Sequence, residues 1–279
     1  MRIETFRALA KSSIKVDWIV EDFISPGGWT FLVGETKTGK SMLMIQLCNA
    51  LQTGTPFLGM KTRKSNCLYI QADAALIEWK VQIERLAPES MAWTAHQIER
   101  GFLDNSSERE RLYQLVWGEY SESSPMYKVL GGKPFDFVIF DCLHAITNGD
   151  LNTKTAMSQV LKHLEEITTR VSQDEKGENV IEEVHYLLVH HPNAMVKRGA
   201  VAGSGHKGFS DACTTKLTLG STERSYSSKK EPGSGLLILE GSKIASRKEI
   251  LLERNEVGAW YLQEDELKDF DYSSILGEK

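Results

Sequence analysis

The sequence predicts an α/β fold: a mostly parallel sheet flanked by helices, with an antiparallel extension towards the C-terminus. Three observations predict it. Short apolar runs of strand length alternate with helix-forming segments along most of the chain, the pattern of βα units whose crossover helices cover both faces of a sheet. A strand, a glycine-rich loop and a helix follow one another between Trp29 and Leu51. After Thr214–Leu219 the pattern changes, and Leu236–Glu240, Glu249–Glu253 and Ala259–Leu262 read as short strands joined by tight turns.

The elements follow in order. Residues 1–24 read as a lead-in in which Ile19, Val20, Phe23 and Ile24 cover one edge of a core, and Ser25-Pro26-Gly27-Gly28 marks a turn. Trp29–Val33 is a short apolar run, a buried strand. Met42–Leu51 is apolar and rich in good helix formers. Cys67–Gln71 reads as the second strand and Leu76–Leu86 as a helix. Residues 87–134 have no single period; they hold a charged helix around Ser107–Tyr120 and a turn at Gly131-Gly132-Lys133-Pro134. Phe135–Phe140 is the third clear strand, ending in Asp141. Thr155–Ser172 is expected to be an amphipathic helix with Met157, Val160, Leu161, Leu164, Ile167 and Val171 on one side. His185–His191 is the fourth strand, and residues 192–208 are glycine-rich, basic and aperiodic. The expected organisation is one domain over 1–262 and an acidic tail over 263–279.

Composition narrows the function classes. With 41% hydrophobic and 25% charged residues, the 279-residue chain has the material for a sizeable core. Its formal net charge of −5 excludes a global electrostatic footprint for nucleic acid, so any such contact needs a local basic patch. Cys48, Cys67, Cys142 and Cys213 are widely spaced without a CxxC pair, which fits free thiols in a reducing compartment. No N-terminal stretch has the build of a secretory leader, and no apolar run approaches the roughly 20 residues that span a bilayer. The expectation is a cytoplasmic protein with no membrane partner.

The strongest chemical signal is G-x-x-x-x-G-K-S at Gly34, Gly39, Lys40 and Ser41, set between a predicted strand and a predicted helix. Such a loop turns backbone N–H groups towards phosphate, and the helix behind it aims its positive dipole end at the anion. The run expected to contact ATP is Gly34, Glu35, Thr36, Lys37, Thr38, Gly39, Lys40, Ser41 and Met42. Lys40 supplies charge for the β- and γ-phosphates and Ser41 a hydroxyl for Mg²⁺. Asp141, at the carboxyl end of a nearby strand, is the matching acidic partner of the Mg²⁺.

On these residues the chain resembles RecA-like ATPases, and within them plasmid RepA-type hexameric helicases and the ATPase half of DnaB-type replicative helicases. The resemblance rests on residues 27–41, Leu68-Tyr69-Ile70-Gln71-Ala72-Asp73, residues 137–141, Leu187–His191, Gly203-Ser204-Gly205 and Asp211, and spans about residues 16–262. It implies a ring, most simply a hexamer, with ATP at subunit boundaries. It implies that Asp73 stands where the family has a Glu that orients the attacking water, with Glu78 a weaker rival. It makes His191 the sensor of the γ-phosphate, since of two adjacent strand residues only one faces the nucleotide. It offers Lys243 and Arg247 as cations reaching a neighbour's nucleotide, and Lys197, Arg198 and Lys207 as contacts to single-stranded DNA. The functions it leaves open are an ATP-driven motor on single-stranded DNA that relies on a loader or primase protein, a slow ATP-gated switch or scaffold, and a recombinase-like filament.

Overall fold

The computed structural model describes residues 16–90, 92–96, 98–151, 153–175, 177–191, 207–221, 234–241 and 248–263. Along the chain run β1 (Trp29–Val33), α1 (Lys40–Thr53), β2 (Cys67–Gln71), α2 (Leu76–Leu86) and β3 (Trp93–Ala95). A 3-10 turn at Phe102–Asp104 precedes α3 (Ser106–Val116), α4 (Pro125–Leu130), β4 (Phe137–Asp141), α5 (Leu143–Ile146) and α6 (Lys154–Thr168). Then come β5 (Thr169–Gln173), β6 (Asn179–Glu183), β7 (His185–His190), α7 (Lys207–Ala212), β8 (Thr215–Ser221), β9 (Ser234–Gly241), β10 (Lys248–Arg254) and β11 (Trp260–Leu262).

Nine strands form one sheet in the order β11-β10-β9-β8-β1-β7-β4-β2-β3. From β8 to β3 every neighbouring pair is parallel. From β8 outward to β11 the pairs are antiparallel, the extension read from the sequence. Strand β1 is thus flanked by β7 and β8, and β4 lies one strand further away across β7, so the loop after β1 opens at the same sheet edge as Asp141.

Side chains alternate across the sheet as the two-residue period requires. Leu32, Phe137, Ile139, Leu187 and Leu217 pack with Leu43, Met44 and Leu47 of α1 in one core, which also holds Ile19, Val20, Phe23 and Ile24. Phe31, Val33, Val138, Phe140 and Leu188 turn the other way, onto Leu112 and Val116 of α3 and Leu164 and Ile167 of α6. Two helices start on side-chain caps that occupy otherwise orphaned N–H groups. Asn105 accepts from Ser107 N at 3.0 Å for α3, and Thr153 accepts from Ala156 N at 3.2 Å for α6.

The structure corrects the sequence reading at several places. The helix expected over Thr155–Ser172 ends at Thr168, and Thr169–Gln173 pairs with Asn179–Glu183 as a separate hairpin. Thr168, Thr169 and Val171 are β-branched, and the Ile167 carbonyl, which a continuing helix would offer to Val171 N, accepts instead from the Trp117 indole at 2.9 Å. Val171, assigned to the buried face of a helix, is 67% exposed opposite Ile181. The helix around Ser107–Tyr120 stops at Val116, and β3 and α4 in the irregular stretch have no periodic signature. Asp141 is the last residue of β4, not the residue after it, and His191 lies just beyond β7. The tail from residue 264 lies outside the described residues.

Candidate active site

The phosphate loop leaves β1 at the carboxyl edge of the sheet and closes on α1. Gly39 caps that helix at φ 92°, where a Cβ would run into the guanidinium of Arg254. A Cβ on Gly34 would strike the Leu219 carbonyl of β8, so glycine is called for by the left-handed backbone at Gly39 and by close approach at Gly34. Lys40 is 2% exposed, and its ammonium donates to the Gly34 and Glu35 carbonyls, both at 2.7 Å. Burial pulls Lys40 down from its ordinary value to about 8, against the opposing charge of Asp141, Cys142 and Glu35.

The Ser41 hydroxyl donates to Asp141 Oδ2 at 2.7 Å, and the buried Tyr69 hydroxyl donates to the same oxygen at 2.5 Å. Burial pushes the Tyr69 phenol well up, reinforced by Asp141, so it stays a donor. A hydroxyl beside a buried carboxylate at the head of a helix is a hard-oxygen donor set, the kind Mg²⁺ takes. The residues present therefore fit that ion, and Ser41 and Asp141 are the ones that would hold it.

One strand further, Gln71 pairs in register with Asp141, which brings the chain after β2 alongside the chain after β4. The Gln71 side-chain oxygen accepts from Asp73 N at 2.6 Å and Ala74 N at 2.9 Å and fixes the bend. Asp73 Oδ1 accepts from Arg100 at 2.9 Å and lies 3.7 Å from His144 Nε2. His144 in turn contacts Cys142 Sγ through Nδ1 at 3.1 Å. Burial and then Asp141 push the Cys142 thiol up. The His191 ring stands 5.8 Å from that of His144, and burial and then Lys40 pull His191 down, which keeps it neutral at pH 7. His190 faces the opposite core, stacked on Phe31 at 5.8 Å. Glu78 is exposed in the first turn of α2.

Sequence reasoning missed a second set of residues that reach the loop from the antiparallel extension. Arg254 donates to the Thr38 carbonyl and lies 4.3 Å over the Trp260 ring. The Trp260 indole donates to the Gly39 carbonyl at 3.2 Å. Gln46 of α1 exchanges two hydrogen bonds with the Trp260 backbone, at 2.8 and 2.9 Å. A strand-end arginine and an aromatic more than two hundred residues from the loop carry no local motif. Tyr69 and Arg100 were missed for the same reason.

The structure thus brings Lys40, Ser41 and Asp141 together at the loop. It gathers Asp73, Cys142, His144 and His191 beside them. Lys243 and Arg247, and Lys197 and Arg198, lie outside the described residues; Lys207 begins α7, and its side chain lies outside them too.

A parallel sheet in this order, with a glycine-rich loop closing on a helix and a serine–aspartate pair at its head, defines a RecA-like P-loop ATPase. The chain belongs to the AAA domain family, whose sequence model matches residues 2–193. Among solved structures it is similar to the RadB recombinase, at 16% identity over 84% of this chain and 90% of that one, with a TM-score of 0.46. No curated protein matches. Among the described residues, no helix is long and apolar enough to cross a membrane.

Proposed function

We propose that this ATPase binds Mg²⁺·ATP at Gly34–Met42 and hydrolyses it within a homo-oligomeric ring that moves on single-stranded DNA. The observation that supports the chemistry most directly is the convergence of the buried Lys40, the Ser41 hydroxyl and the buried Asp141 at the head of α1. When bound, Mg²⁺ supplies positive charge to the phosphate oxygens. The chain's own groups do the rest. Lys40 leaves its loop carbonyls for the phosphates, the α1 N-terminus faces the anion, and Asp73 orients water for attack on the γ-phosphorus. Neutral His191 senses the γ-phosphate by a hydrogen bond. Lys243 and Arg247 serve the nucleotide of an adjacent subunit, and Lys197, Arg198 and Lys207 follow the DNA backbone, a local basic patch on an acidic chain.

A second reading, a slow nucleotide-gated switch, is favoured by one feature. The Asp73 carboxylate already holds Arg100 at 2.9 Å, and it is one methylene shorter than the Glu of related sites. Misplacement of about 1 Å costs on the order of 100-fold in rate. Steady-state ATPase with and without single-stranded DNA separates the two. Stimulation that disappears on joint replacement of Lys197, Arg198 and Lys207 supports the motor. Binding without stimulation, or no binding, favours the switch. Mixing Arg247→Ala with Lys40→Ala subunits restores part of the activity if Arg247 acts across a boundary, and no rescue at any ratio removes that role.

A further inference from the structure

Beside the phosphate loop, three metal-ligating side chains surround one point: Asp73, Cys142 and His144, with ligand atoms all within 4.8 Å of one another. They meet because of sheet register. Gln71 of β2 pairs with Asp141 of β4, so the residues just past each strand lie side by side. His144 Nε2 is 3.5 Å from Cys142 Sγ and 3.7 Å from Asp73 Oδ1. In a tetrahedral zinc site, with Zn–S of about 2.3 Å and Zn–N or Zn–O of about 2.0–2.1 Å, neighbouring ligand atoms stand about 3.3–3.6 Å apart. Both edges lie close to that span, and Asp73 and Cys142 stand within 4.8 Å of each other. Sγ lies beside both imidazole nitrogens, 3.1 Å from Nδ1 and 3.5 Å from Nε2, so the exposed His144 ring turns to aim Nε2 at an ion held between Cys142 and Asp73.

We propose that Asp73, Cys142 and His144 form an open three-ligand site for a thiophilic divalent cation, Zn²⁺ above all. Cys142 is fully buried and forms the floor, while Asp73 and His144 are exposed and leave a way in. A sulfur and an imidazole beside one carboxylate select Zn²⁺ over Mg²⁺, which takes oxygen donors. Binding replaces the Cys142 S–H bond by an S–Zn bond, and the proton passes to solvent. Asp73 must release Arg100, an exposed pairing that holds it only weakly. His191, whose buried Nδ1 has no hydrogen-bond partner among the described residues, is the next donor out.

The consequence for hydrolysis rests on the reading of Asp73 given above. A cation that captures this carboxylate removes it from the attacking water while leaving Lys40, Ser41 and Asp141 free. Zn²⁺ then blocks turnover without displacing Mg²⁺·ATP, and a chelator reverses the block.

The test is direct titration of the purified full chain with Zn²⁺ against a chromophoric chelator, and with Co²⁺ followed by absorption. One ion per chain is expected, with a thiolate-to-cobalt charge-transfer band that Cys142→Ser removes. His144→Ala, an exposed change that spares the buried floor, is expected to weaken Zn²⁺ by about 100-fold or more, beyond what loss of an outer-shell partner costs. Absence of uptake at a tenfold excess of Zn²⁺, or uptake that neither substitution changes, overturns the site. Uptake of one Zn²⁺ with ATP turnover unaffected leaves the site standing and overturns the role of Asp73.

Discussion

The two ends of this site are built differently. Around the phosphate loop the groups are buried and held by short hydrogen bonds from several strands: Lys40 to two loop carbonyls, Ser41 and Tyr69 to one oxygen of Asp141, Trp260 to Gly39. At the Asp73 corner the side chains of Asp73, Arg100 and His144 are exposed, and the spacings are longer. Asp73 is shared between Arg100 and His144, and the exposed Arg100 is its nearest partner. Burial makes electrostatic interaction strong and fixes geometry, whereas exposed pairs exchange with water. The phosphate-loop end is therefore preorganised, and the Asp73 end is set by contacts that a ligand or a cation can rearrange.

Four measurements sharpen or break that contrast, in falling order of effect. Lys40→Ala is expected to lower kcat/KM for ATP by about 1000-fold, as loss of a preorganised charge does; a loss of less than about tenfold would mean the loop is not the phosphate site. Asp73→Ala is expected to slow hydrolysis by about 100-fold with Mg²⁺·ATP affinity nearly unchanged, the signature of a group used only in the transition state. Equal losses in affinity and rate would place Asp73 in binding instead. Arg254→Ala removes a cation–π contact and a hydrogen bond that hold the loop, and is expected to weaken nucleotide binding about tenfold. Calorimetry that finds wild-type affinity would show the loop is shaped without the extension.

The fourth measurement reads stability instead of rate or affinity, as a pH dependence. Lys40 stands at about 8 when folded, against 10.5 ordinarily. Between these values the unfolded chain holds more protons than the folded one, so the Lys40 contribution to stability rises with pH across that window and is flat below it. Relative to Lys40→Met, wild-type protein is expected to gain roughly 1–3 kcal/mol between pH 8 and 10.5, read from urea midpoints. A constant gap between the two proteins would mean the ammonium is solvated.

What could be read in advance follows from how local each signal is. The strand, loop and helix at Trp29–Leu51 are contiguous, and the residue types there are dictated by phosphate chemistry, so the element and its chemistry are legible together. The bounds of α2 and β2 were equally plain, each a short periodic run between breakers. The hairpin at Thr169–Glu183 was hidden because Val171 continues the spacing of α6, while the partner strand Asn179–Glu183 and the Trp117 indole on the Ile167 carbonyl, some fifty residues away, leave no mark within that spacing. Tyr69, Arg254 and Trp260 act on the loop across sheet register and tertiary packing. Asp73 was legible as a carboxylate past β2, but its partners Arg100, Cys142 and His144 were not, since they come from other elements.

The extension that grips the loop has a mechanical corollary. Arg254 ends β10, and at the other end of that strand Lys248 leads back, through residues 242–247, to β9. Seven strand residues make a rod of about 23 Å. Strand β10 is hydrogen-bonded to β9 along one side and to β11 along the other, so through Arg254 the loop is tied to a strand that moves only together with its neighbours.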